Sequence, residues 1–293
     1  MGFLELLNSK RLVVGDGAMG TQLMAAGLAP GQSGELWNVE RPDTVERVLR
    51  GYVEAGADFV LTNTFGANCV GLARHDLSDR IEEINRAAAE VARRAAGGRA
   101  FVVGGLGPTG ELLAPFGALS EADARAAYAP QAAALAAAGV DAIICETFES
   151  SAELRLALEA VRDCCDLPLI ACMKLAPEPS GRYRSIMGEG PEALARTARK
   201  CGCAVVGTNC GQGIATMARL VGQIRGLTDL PIMAEPNAGM PLLVAGRTVY
   251  PEGPEAFSRH LPDVYGAGAR IVGGCCGTTA DHIRAVRAFA DSV

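Results

Sequence analysis

Two cysteines stand side by side near the end of the chain, Cys275-Cys276, with glycines at 273, 274 and 277. Neighbouring side chains of a regular strand point to opposite faces, so adjacent thiols can share one ion only where the strand breaks. Gly273, Gly274 and Gly277 permit such a break and a close backbone approach. A third thiol, Cys210, ends another apolar run, and the three could converge. Three protein ligands with an open position are the pattern of a catalytic zinc. Thiolates favour zinc over magnesium or calcium. Spacing alone leaves other readings open, because a Cys-Cys pair is not in itself a metal spacing. Buried packing thiols fit as well, and a vicinal redox pair fits less well.

A zinc held by three thiolates is a poor Lewis acid for water but suits a fourth thiolate, whose proton it removes. A free alkyl thiol is mostly protonated at neutral pH, and only its thiolate is a good nucleophile. The natural electrophile for such a sulfur is an activated methyl group. Hydrolysis is less natural, since no water-activating base lies beside the cysteines. The carboxylates Asp16, Glu146 and Glu235 could hold an ammonium group, and glycine-rich turns could offer N–H groups to a substrate carboxylate. Asp16 reads equally as a turn former in Gly-Asp-Gly. Glu146 closes an apolar strand, where a carboxylate needs a reason. Among the other thiols, Cys145 and Cys172 read as core. Cys164, Cys165, Cys201 and Cys203 read as half-buried near helix ends, and Cys69 as packing. His75, His260 and His282 lack a paired metal spacing and read as surface or helix-end residues.

These groups need a frame, and the apolar pattern supplies one. Short apolar runs at Leu12–Gly15, Asp58–Thr62, Phe101–Leu106, Ala142–Cys145, Pro168–Met173, Ala204–Thr208, Pro231–Ala234 and Arg270–Gly273 predict buried parallel strands. Amphipathic segments alternate with them: Pro42–Ala55, Arg80–Ala96, Glu121–Ala138, Ser151–Val161, Pro191–Cys201, Ile214–Gly226, Pro254–Gly266 and Ala280–Ala290. Ser120, Ser150 and Thr279 are placed to cap helix starts. Gly56, Gly139, Gly202 and Gly266 are placed to end helices. Repeated strand–helix units predict one domain over residues 1–293, a (β/α)8 barrel whose active site lies at the C-terminal ends of the strands. Long loops at Ala26–Arg41, around Trp37, and at Leu175–Glu189 are expected to cover that face.

Composition narrows the class. The chain has 293 residues, 49% of them apolar, and a net charge of −6 with scattered basic residues, so no nucleic-acid partner is expected. Met1–Arg11 lacks the cationic start and long apolar run of a secretory leader, so none is expected, and no apolar run is long enough to suggest a membrane-spanning helix. A cytoplasmic location is expected, with the ten cysteines reduced.

The motifs also match a known family over nearly the whole chain. Asp16-Gly17-Ala18-Met19-Gly20-Thr21, Thr62-Asn63-Thr64-Phe65, Gly107-Pro108-Thr109, Glu146-Thr147 and Asn209-Cys210 resemble the homocysteine S-methyltransferase family. Pro236-Asn237-Ala238-Gly239 and Gly273-Gly274-Cys275-Cys276-Gly277-Thr278-Thr279 are the most specific blocks. The resemblance is closest to the homocysteine-binding module of the cobalamin-dependent methionine synthases. It implies zinc on Cys210, Cys275 and Cys276, homocysteine sulfur at the metal, and methionine as product. It places Asp16 and Glu146 at the amino acid and Asn237 close to the metal. Thr62 and Asn63 complete the expected substrate-contacting set. A betaine donor would need an aromatic cage, and the loop Phe65-Gly66-Ala67-Asn68 offers small residues instead. Trp37, Phe65, Phe148 and Tyr183 remain as cage candidates, with core or lid roles favoured. The expected donor is therefore methylcobalamin on a separate corrinoid protein. Betaine or S-methylmethionine as donor, or a non-catalytic zinc- and thiol-binding docking module, are the alternatives.

Overall fold

A computed structural model describes residues 2–244 and 246–293. Eight parallel strands are present: β1 (Val13–Val14), β2 (Phe59–Leu61), β3 (Phe101–Leu106), β4 (Ala142–Phe148), β5 (Leu169–Met173), β6 (Val205–Gly213), β7 (Ile232–Asn237) and β8 (Ala269–Val272). They pair in the order β1-β8-β7-β6-β5-β4-β3-β2. The seam between β1 and β2 is held by the Asp58 N–H, which donates to Val14 O at 2.7 Å. The Asp58 carboxylate accepts from Val14 N at 2.9 Å. The result is the nearly closed (β/α)8 barrel that the alternating pattern predicts, with helices packed outside.

The two-residue strand period carries the chain from core to site. Val13, Phe59, Val103, Ile144, Met233 and Ile271 belong to one buried apolar cluster, the packed layer inside the barrel. Two residues further along each strand stand Gly15, Leu61, Gly105, Glu146, Glu235 and Gly273. Side chains two apart share a face, so this second layer lines the upper barrel. Its glycines make room for its carboxylates. A Cβ on Gly105 would lie 3.1 Å from Glu146 Oε1, and one on Gly273 would lie 3.0 Å from Glu235 Oε1.

Several elements differ from expectation, each for a local reason. Strands β4, β6 and β7 run past the ends of their apolar runs, because backbone pairing continues through polar side chains. The expected helix over 254–266 is two short helices, Pro254–Ser258 and Leu261–Gly266. Pro262 lacks the N–H that a continuous helix needs, but suits the first turn of the second helix. Gly266 therefore sits inside a helix, and the left-handed turn falls on Gly268 (φ 111°). Gly56, Gly139 and Gly202 do adopt the left-handed conformation. Ser120 and Ser150 cap their helices through Asp123 N and Glu153 N.

The helix Phe3–Ser9 was not foreseen. Its Phe3, Leu6 and Leu7, at helical spacing, are buried in the barrel's interior cluster. Phe3 meets Phe59 and Phe101 edge-on at 5.8 and 6.0 Å, which plugs the N-terminal end of the barrel. Two antiparallel hairpins rise from the opposite end. Ala176–Pro177 pairs with Tyr183–Arg184, inside the expected long loop, and Leu242–Val244 pairs with Arg247–Val249. His282 lies in the first turn of the helix Ala280–Ala290, the helix-end position expected, and is buried there, with Nδ1 beside the Thr279 hydroxyl and Nε2 2.9 Å from Glu252 O. Two further placements correct the sequence reading. Cys203 is buried and Cys164 exposed, rather than half-buried.

Candidate active site

Cys210 lies on β6 within a register shift between Asn209 and Gly213. Its backbone is left-handed (φ 59°), as is that of Gly211 (φ 71°). For a residue with a Cβ this costs on the order of 1–3 kcal/mol, which surrounding structure must hold in place. Cys275 and Cys276 follow the end of β8, in the break that the glycines allow. Cys275 N donates to Pro236 O at 2.8 Å, and Ala238 N donates to Cys276 O at 2.9 Å, so β7 laces both thiols into position. Thr278 Oγ1 donates to Cys275 O at 2.8 Å and accepts from Ala18 N at 3.0 Å, joining this turn to the Asp16 turn.

The three sulfurs lie within 4.8 Å of one another. Zinc–sulfur bonds of about 2.3 Å in a tetrahedral arrangement put sulfurs roughly 3.8 Å apart, so the triad fits that ion. No other group of three His, Cys, Asp or Glu ligand atoms among the described residues converges in this way. The sulfurs also share protons. Hydrogen bonds from Cys275 and Cys276 hold Cys210 well below the usual thiol range, and the same contacts hold its two partners above it. Asn237 is buried next to this lacing, and its Oδ1 has no hydrogen-bond partner. An unpaired buried acceptor is costly and asks for a ligand.

The triad shares one cavity of about 400 Å3 with Asp16, Glu146 and Glu235. Burial pushes the Asp16 carboxyl up to about 7, although its Oδ2 accepts from Leu61 N at 2.8 Å. Burial, and next the charge of Asp16, push Glu146 up to about 8. Glu235 is raised well above the usual range by the same causes, and its Oε1 has no partner. Three carboxyls crowded into one protein-walled space are held toward their neutral forms, and a nearby cation would draw them back to the charged ones.

Thr62 and Asn63 also line this cavity, with their side chains tied into its wall. The Thr62 hydroxyl accepts from Gly105 N at 3.0 Å and bonds Thr64 Oγ1 at 2.6 Å. Asn63 Nδ2 donates to Gly34 O at 2.8 Å and to Asn38 Oδ1 at 3.1 Å, anchoring the loop before it. Of the cage candidates, Trp37, Phe148 and Tyr183 are core residues, and Phe65 alone lines the cavity. Two neighbours of the site were given no role by the sequence. Tyr250 stacks on Gly277, where a Cβ would meet its ring at 2.2 Å, and its hydroxyl hydrogen-bonds Cys276. Asn209 reaches across to Glu146. Tyr250 stands alone in an irregular loop, and Asn209 is hidden in a motif beside a more reactive residue.

Known proteins match this arrangement. Residues 13–290 fit the family model described as homocysteine S-methyltransferase. Methionine synthase from Mycobacterium tuberculosis is 36% identical over 298 residues, which cover 96% of this chain and 25% of that protein. The methionine synthase of Mycobacterium leprae is 34% identical, with 97% and 25% covered. The chain thus spans about a quarter of the length of these relatives. Among solved structures, the metallated form of the homocysteine methyltransferase MmuM from Escherichia coli superposes with a TM-score of 0.80 at 25% identity, covering 97% of this chain and 98% of that one. With a family model spanning almost the whole barrel and a three-cysteine metal site whose donors suit zinc, the chain belongs to the homocysteine S-methyltransferase family.

Proposed function

We propose that this protein methylates the sulfur of homocysteine to give methionine, taking the methyl group from a separate methylated corrinoid protein. The observation that carries the reading is one cavity holding both a three-cysteine metal site and a cluster of carboxyls. That combination suits a substrate with a thiol at one end and an ammonium group at the other. Cys210, Cys275 and Cys276 would hold a zinc ion, whose bound acidity would keep an alkyl thiol deprotonated at neutral pH. Asp16 and Glu146 bind the ammonium group, which favours their charged forms. Glu235, whose carboxyl burial also raises, lies in the same cavity. The wall bonds of Thr62 and Asn63 hold the cavity's shape around the amino acid. Asn237, with its unpaired Oδ1, stands beside the cysteine turn as a group able to face the metal or the sulfur. In the transfer, a sulfur lone pair forms the new S–CH3 bond while the donor keeps the electrons of the bond that breaks.

The donor assignment rests on what surrounds the cavity. Phe65 alone cannot cage a quaternary ammonium. The exposed large apolar side chains among the described residues, Leu4 excepted, all lie on segments that follow strand C-termini, among them Phe116, Ile186 and Leu243. Exposed apolar side chains on the face around a reactive cavity suit a protein donor better than a small free one. The test follows methionine formation from homocysteine with methylated corrinoid protein, free methylcobalamin, betaine and S-methylmethionine. Turnover with the corrinoid donors is expected. Turnover with betaine or S-methylmethionine alone would overturn the donor assignment. No turnover with any donor would leave a zinc- and thiol-binding docking module.

A further inference from the structure

Between the carboxyl cluster and the sulfur triad stands one side chain that touches neither substrate nor metal in the reading above. Asn209 is fully buried on β6, directly before Cys210. Its Oδ1 accepts from Thr147 N at 2.8 Å. Its Nδ2 donates to Thr147 Oγ1 at 2.7 Å and to Glu146 Oε2 at 3.2 Å. All of its amide groups are thus spent on one short stretch of β4. That stretch needs holding: Thr147 is left-handed (φ 62°), at a register shift between Cys145 and Phe148. Cys210, the next residue along β6, is left-handed too. Two left-handed residues, on strands separated in the sheet by β5, are therefore linked through a single amide. One directly follows Glu146, the other is Cys210 itself.

We propose that Asn209 is a positioning residue that sets the placement of Glu146 relative to Cys210, and so makes the site select thiols that carry an α-ammonium group. The assignment rests on homocysteine being the acceptor. Without the amide, Glu146 is free to turn from the cavity and Thr147 to relax from its left-handed turn. The sulfur site keeps its three ligands, so a thiol still binds there. What is lost is recognition of the far end of the substrate.

The experiment compares homocysteine with 4-mercaptobutyrate, the same chain without the amino group, by calorimetry on zinc-loaded protein. In the unaltered protein homocysteine binds more tightly; equal affinities would overturn the acceptor reading itself, independently of Asn209. In Asn209→Ala the homocysteine Kd rises at least about tenfold, the size of a lost hydrogen bond to a charged group. The Kd for 4-mercaptobutyrate stays within about twofold, and zinc remains at one per chain. Asn209→Asp keeps the size and the bond from Thr147 N but sets a carboxylate against Glu146. It guards against a simple folding failure and should show the same selective loss. Equal weakening of both thiols, or loss of zinc, would show a structural role and overturn the proposal. Unchanged homocysteine binding in both variants would overturn it as well.

Discussion

At the scale of single residues, the chemistry depends on carboxyls whose surroundings disfavour their charged forms. Asp16 and Glu146 are raised to about 7 and about 8, so both are substantially protonated at neutral pH before substrate arrives. Binding an ammonium group draws them to their charged forms and releases protons. Homocysteine should therefore bind more weakly as pH falls through 8 and then 7. Calorimetry in buffers of different ionisation enthalpy should show more protons released with homocysteine than with 4-mercaptobutyrate. The same shifts act on stability with a definite sign. A carboxyl raised on folding binds more protons folded than unfolded, so unliganded stability falls as pH rises from about 4 to about 8. Asp16→Asn removes that penalty. It should raise the melting temperature above pH 7.5, yet weaken homocysteine binding by about a hundredfold or more; a lower melting temperature would contradict the burial argument. Cys210→Ala breaks the triad and should lower bound zinc, measured by metal analysis, from one per chain to near zero.

At the scale of elements, the site is an extension of the barrel's own layering. The alternation that places Ile144, Met233 and Ile271 in the core also places Glu146, Glu235 and Gly273 one layer above. A Cβ on Gly273 would meet Asp16 O at 2.8 Å and Glu235 Oε1 at 3.0 Å. The backbone oxygen cannot move cheaply, so Gly273→Ala should destabilise by about 1–3 kcal/mol in denaturant unfolding. It should weaken homocysteine binding more than zinc binding, because the clash lies at the carboxyl cluster. This layering was legible in the apolar runs. The extra length of β4, β6 and β7 was not, because it comes from register shifts and backbone pairing that hydrophobicity does not encode.

At the scale of the whole molecule, the two ends of the barrel are unlike. The N-terminal end is closed by Phe3, Leu6 and Leu7. The other end opens on the cavity and carries apolar side chains left exposed among the described residues, with Leu243 at 79% exposure on its hairpin. If that face receives a donor protein, Leu243→Asp should lower turnover with a methylated corrinoid protein several-fold. Turnover with free methylcobalamin should stay unchanged, because the hairpin residue lies outside the cavity lining. Equal rates with both donors for the variant and the unaltered protein would exclude the hairpin from docking.

Sequence alone determined the eight strand–helix units, since apolar runs, caps and helix-ending glycines are local signals set by backbone sterics and burial. It also determined which residue types were available for chemistry, and where along the chain they stood. Cys275-Cys276 stayed ambiguous between packing and metal because a strand's period says which face a side chain takes, not what lies opposite. Only the closed barrel decided that, by bringing Cys210 within reach of both and lacing the turn to β7. Tertiary structure likewise decided that Asp16 and Glu146 share one protein-walled space, that Thr62 and Asn63 spend their side chains on the wall, and that Asn209 bridges the two halves of the site. These are contacts between distant segments, and burial and charge proximity exist only once those segments meet.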